Sequence, residues 1–79
     1  MDKIFTLTRD NIIAELVDAD EQSLGQSATF SRGTVLTIIR PAHAWGNVKE
    51  LEYCTVQIGG KYFNIPAWVL TNSIMPKRS

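Results

Sequence analysis

Tyr53-Cys54-Thr55-Val56-Gln57-Ile58-Gly59-Gly60-Lys61-Tyr62-Phe63-Asn64-Ile65-Pro66-Ala67-Trp68-Val69-Leu70 is the stretch whose reading decides the fold. Gly59-Gly60 divides two runs of strand character, residues 53–58 and 61–65. Two glycines supply the positive φ angles of a two-residue type I′ turn, so the stretch predicts a β-hairpin. A two-residue turn sets the register. Ile58 then faces Lys61, Gln57 faces Tyr62, Val56 faces Phe63, Thr55 faces Asn64 and Cys54 faces Ile65. Side chains alternate across a strand, which puts Cys54, Val56, Ile58, Phe63 and Ile65 on one apolar face. Tyr53, Thr55, Gln57, Tyr62 and Asn64 share the other, which reads as a solvated surface able to grip a partner. Pro66 ends the pairing, having no N–H for the ladder. Residues 67–70 then read as one tight turn before a short last strand.

Outward from the hairpin, Ile4, Phe5 and Leu7 with Thr6 and Thr8 predict a short strand. Residues 12–17 fit two patterns. Ile12, Ile13 and Leu16 align on a helix that Asp10 or Asn11 could cap, whereas Ile12, Ala14 and Leu16 alternate on a strand. Strand is the preferred reading for residues 14–17. Residues 18–26 read as an acidic, polar loop with Asp18, Asp20 and Glu21 on a solvated face. Ala28-Thr29-Phe30 resumes strand character, and Ser31-Arg32-Gly33 makes a turn. Residues 34–39 are rich in β-branched residues and apolar on both faces, which predicts a central strand ended by Arg40-Pro41. Residues 42–47 read as a loop carrying His43, Trp45 and Gly46, and residues 48–52 lead back into the hairpin. Residues 71–79 read as a frayed polar tail. Short strands with close turn signals imply an all-β barrel or sandwich, with one short helix at most.

Composition bounds the function. The 79 residues make one domain, with no internal repeat or linker. A core of this size supplies only ~3–5 kcal/mol, so the fold must be economical or supported by assembly. The formal net charge is zero, which disfavours nucleic acid as the main ligand because phosphate neutralisation dominates that affinity. The one cysteine, Cys54, has no partner for an internal disulfide and points inward as a buried thiol. Met1-Asp2-Lys3 does not lead into a signal peptide, and no apolar run is long enough to span a bilayer. A cytoplasmic protein is the expectation, with no membrane association.

The order of pieces resembles an SH3 domain. Thr29-Phe30-Ser31-Arg32-Gly33-Thr34-Val35-Leu36-Thr37-Ile38-Ile39 is similar, without gaps, to that family's Ser-Phe-Lys-Lys-Gly-Asp-Ile-Leu-Glu-Val-Leu. Residues 53–70 are similar to its Trp-Trp-Lys-Ala-Arg…Gly…Ile-Pro-Ser-Asn-Tyr-Val stretch, with Ile65-Pro66 in place of the Ile-Pro pair. Leu16-Val17-Asp18-Ala19-Asp20 falls near its Leu-Tyr-Asp-Tyr-Glu. The resemblance covers residues 14–70. It implies a small five-stranded SH3-like barrel over residues 14–71; the N-terminal strand within residues 1–13 is an addition the family does not require, and residues 72–79 form a tail. SH3 domains grip proline-rich peptides between aromatic side chains. Here Val17, Ala19 and Val69 replace three of the family's tyrosines. Only Tyr53, in place of the groove tryptophan, and Pro66 survive, so the barrel carries over and the ligand does not. A weaker resemblance runs to the plasmid-encoded type II dihydrofolate reductases, through Ala28-Thr29-Phe30, Ala44-Trp45 and Tyr53-Cys54. Those enzymes work from a Gln-Ile-Tyr triplet, and Phe63-Asn64-Ile65 stands in its place, so the catalytic set is missing.

No nucleophile elbow, Gly-rich phosphate loop or metal-ligand spacing is present, so the expectation is a non-enzymatic chain with no catalytic residue and no cofactor. His43 is the lone histidine, and Cys54 turned into the core is a poor nucleophile for it. The candidate partner-binding residues are Trp45, Tyr53, Gln57, Tyr62, Asn64, Pro66 and Trp68. Trp45 reads either as a partly exposed anchor or as a loop ring folded over one end of the barrel. Trp68 reads first as core or core rim. The chain is thus expected to be a protein-binding module, a stand-alone regulator or inhibitor that docks on a larger cellular protein, as small phage-encoded regulators of host machinery do. The alternative is a small-barrel nucleic-acid binder with Tyr53, Tyr62 and Trp45 as stacking platforms and Arg32, Lys61, Lys77 and Arg78 on phosphates. A third reading is a multi-subunit reductase around a shared pore.

Overall fold

A computed structural model describes residues 4–46 and 51–77. It is an antiparallel β structure with one short helix. Seven strands run in chain order: β1 (Ile4–Leu7), β2 (Ile12–Val17), β3 (Ser23–Phe30), β4 (Val35–Ala44), β5 (Glu52–Ile58), β6 (Lys61–Pro66) and, after α1 (Ala67–Thr71), β7 (Ile74–Pro76). All pair into one sheet of order β3-β2-β6-β5-β4-β1-β7. The strand count therefore exceeds the five plus one expected. Residues 1–3, 47–50 and 78–79, read above, lie outside the described residues.

The β5–β6 hairpin has the register that its two-residue turn dictates, from Ile58↔Lys61 to Cys54↔Ile65. Gly59 and Gly60 take φ of 59° and 82°, the left-handed values a type I′ turn needs. Cys54, Val56, Phe63 and Ile65 are buried, and Leu7, Ile12, Ala14, Leu36 and Leu70 complete the core with them. The pleat explains why residues 12–17 are a strand. Ile12 and Ala14 point into this core and Ile13 points out, whereas a helix would have placed Ile12 and Ile13 together.

Four expectations need correction. Residues 18–26 are not one loop, since the turn occupies residues 18–22 and β3 begins at Ser23. β3 is polar and exposed along most of its length, so it carries no alternating apolar pattern to announce it. Arg40-Pro41 does not end β4, which continues to Ala44 across two register shifts that accommodate the proline. β4 is flanked by β1 and β5 as a central strand should be, yet Val35 and Ile39 are exposed. Within the tail, residues 74–76 are not frayed, because Ile74 packs on the core and β7 pairs with β1. The N-terminal strand thus lies inside the sheet, between β4 and β7.

Candidate functional site

The site starts from a five-residue turn. The Asp18 carboxylate accepts hydrogen bonds from the Asp20 and Gln22 amides at 2.8 and 3.0 Å, and the Glu21 amide donates to the Asp18 carbonyl at 3.0 Å. An aspartate bonding its own following backbone is a local turn-maker. Glu21 is held at φ 61°, a left-handed conformation uncommon for a residue with a Cβ. The turn lays its side chain over β4, β5 and β6, where the carboxylate is 10% exposed.

Four side chains converge on that carboxylate. His43 Nε2 lies 2.5 Å from Oε1, and the Asn64 amide donates to the same oxygen at 3.2 Å. The Thr55 hydroxyl lies 2.9 Å from Oε1 and 2.7 Å from Asn64 Oδ1, and its single proton serves one acceptor at a time. Arg40 makes an ion pair with Oε2. His43 Nδ1 lies 2.7 Å from the Pro41 carbonyl, so the imidazole can donate at both nitrogens only when doubly protonated. The Trp45 indole donates to the Glu21 carbonyl at 2.8 Å, and its ring meets Tyr53 edge-on at 5.0 Å. Among the described residues every buried side-chain polar atom has a partner.

This network overturns two expectations. Glu21 is not on a solvated face, and Thr55 and Asn64, at 3% and 1% exposure, are not surface residues. The cause is the same in both cases: the 18–22 turn folds back onto the polar face of the hairpin and covers it. Burial of a carboxylate is tolerated here because hydrogen-bond donors and the Arg40 guanidinium surround it.

Beside this Glu21 network lies an open concavity of about 400 Å³. Tyr53, Asn64, Pro66 and Val69 form one wall, and Asn11, Ile13, Glu15 and Ser27 the other. The β2–β3 hairpin, held down at its tip by Glu21, thus supplies one wall, and β5, β6 and α1 supply the facing one. Glu15 is the one charged residue among these eight, and its carboxylate accepts a bond from the Ser23 hydroxyl. Three of the seven candidate residues, Tyr53, Asn64 and Pro66, meet here. Gln57 and Tyr62 are half-buried and paired opposite each other further along the hairpin. Trp45 sits behind Tyr53. Trp68 is not core or core rim but 66% exposed, because α1 turns Leu70 inward instead. It borders a second concavity with Arg9, Asp10 and Val69. Glu21, Arg40, Ile13 and Glu15 were not legible as site residues. Glu21 stood among other acids in a polar loop, and only the fold brings it to its four donors.

Cys54 faces the core as expected. Burial, with a smaller contribution from the Glu52 carboxylate, pushes its thiol above the ordinary value of 9.0. The thiol should resist a thiol-reactive reagent in the native protein at neutral pH and react fully in denaturant, which absorbance on reagent release would read. The raised value also sets a sign. The unfolded chain ionises first, so this contribution to stability is complete below 9.0 and is lost as pH climbs from there towards the folded value. Among the described residues no three His, Cys, Asp or Glu side chains converge, and no helix is long and apolar enough to cross a membrane. The chain matches no family model, no curated protein and no solved structure.

Proposed function

We propose that this chain is a non-enzymatic protein-binding module, a small regulator or inhibitor on an SH3-like barrel scaffold that docks on a larger protein through the concavity between the two hairpins. The observation that carries the reading is that Tyr53, Asn64 and Pro66, nominated from sequence, line one open concavity. The run of β4, β5, β6, one helical turn after Pro66 and a short final strand supports the scaffold, since the SH3-like pattern has that order. The lining is apolar and amide-rich with a single carboxylate, which suits a protein segment and opposes phosphate. Val69 presents an aliphatic wall where the family has a tyrosine, so the segment need not be proline-rich. The buried state of Phe63, Asn64 and Ile65 speaks against a pore-lining catalytic triplet at these positions.

Affinity capture from the source cell's lysate tests the reading, with the wild-type chain and Tyr53→Ala as parallel baits and mass spectrometry of what each retains. One protein held in stoichiometric amount through moderate salt by the wild type, and bound about tenfold more weakly by Tyr53→Ala, is the expected result, since losing an aromatic anchor costs over about 1 kcal/mol. Equal retention by both baits would remove the concavity from the account. Retained nucleic acid that elutes as salt rises would replace the protein reading with the nucleic-acid one.

A further inference from the structure

The sheet has two ends of opposite character. β7 is three residues long, and Pro76 lacks an N–H, which is how natural edges are blunted. β3 runs for eight residues, Ser-Leu-Gly-Gln-Ser-Ala-Thr-Phe, without a charge or a proline. Gly25, at φ 72°, and the register shift between Glu15 and Val17 disturb its start. From Ser27 to Phe30 the pairing with β2 is regular, ending Ile13↔Thr29 and Ile12↔Phe30. Among the described residues β2 is the one strand hydrogen-bonded to β3. Ala28 and Phe30 pack against the core, with the Phe30 ring edge-on to Phe63 at 5.0 Å, so this edge is held extended. An uncharged edge that is regular from Ser27 to Phe30 is a template for another strand.

We infer that β3 pairs antiparallel with β3 of a second copy of this chain, about a two-fold axis normal to the sheet. Identical edges related by a two-fold normal to the sheet run antiparallel and pair with themselves, so a charge near the axis would approach a like charge. β3 carries none, and the chain's net charge is zero, so neither local nor overall repulsion opposes the pair. Ser27 lies on the concavity side of β3. Pairing therefore extends that wall into the second copy and opens both concavities on one face of a continuous sheet, where a partner with two docking segments would gain avidity. The inference rests on the edge, not on what the concavity binds.

The test is the mass in solution, by sedimentation or light scattering, as concentration rises. The wild type should approach twice the 8.8 kDa of one chain. The double variant Gln26→Lys with Thr29→Lys, both exposed positions, should remain at one chain's mass with unchanged far-ultraviolet dichroism. Val35→Lys, on the exposed face of β4, should still dimerise. A wild type that stays monomeric throughout overturns the inference. So does a dimer that survives the lysines, or one lost in Val35→Lys. Should the lysine variant fail to fold, amide exchange of the wild type decides. Protection over residues 27–30 that grows with concentration supports the pairing, and protection independent of concentration refutes it.

Discussion

Glu21→Ala is expected to lower stability by about 3 kcal/mol, a fall in melting temperature of roughly 12–24 °C for a domain of this size. The loss comes from what the carboxylate leaves behind. The buried Asn64 amide and His43 Nε2 lose their acceptor, while Thr55 keeps only Asn64 Oδ1. Buried polar groups left without partners carry most of such a penalty. The Arg40 pair adds little, because that side chain is 59% exposed and water replaces its partner. Glu21→Gln should lose less, since an amide oxygen still accepts from Asn64 and Thr55. Urea denaturation of the three chains measures the series. A loss below about 1 kcal/mol for the alanine would mean that the turn relaxes and water enters the network, as at a surface site. The same variant should free the tip of the β2–β3 hairpin and loosen one wall of the concavity. Faster amide exchange in residues 18–22, with the core unchanged, would report this.

The second large effect is expected at Phe63. Phe63→Ala should cost about 3–5 kcal/mol, which is comparable to the whole stability of a domain this small. Phe63 is buried in β6, between β2 and β5, opposite Leu16 on one side and Val56 on the other. Its ring meets Phe30 edge-on, so it also ties β3 to the core. Removing the ring leaves a cavity that neighbours on three strands cannot collapse into without breaking register. The variant should therefore be largely unfolded at 37 °C by near-ultraviolet dichroism. Phe63→Leu, which keeps most of the volume, should fold with a reduced melting temperature. A cooperative Phe63→Ala transition close to wild type would show that the Phe30 contact and the cavity term are both unimportant.

These two residues mark how far the sequence reaches. Phe63 is legible because its signal is local: two glycines fix the turn, the turn fixes the register, and alternation assigns the face. Glu21 is not, because its role depends on donors from Arg40, His43, Thr55 and Asn64, which lie on three strands. The polar face of the hairpin is read correctly as polar and wrongly as solvated. A polar face looks the same in sequence whether water or a folded-back turn satisfies it. Trp68 fails for a related reason. Its size argues for burial, but a single helical turn can bury only one side, and Leu70 takes it.

By itself the sequence determined the β5–β6 hairpin with its register, the inward face of that hairpin, the buried Cys54 thiol, the first strand and a tight turn after Pro66. All of these follow from backbone geometry and alternation over a few neighbouring residues. Only the tertiary structure decided that residues 12–17 are a strand, that Ser23–Phe30 is an edge, that the C-terminal residues close onto β1, and that Glu21 latches the hairpin beside the concavity. Each of those depends on contacts between residues far apart in the chain. Their energies arise when distant surfaces meet, and no local pattern records which surface will arrive.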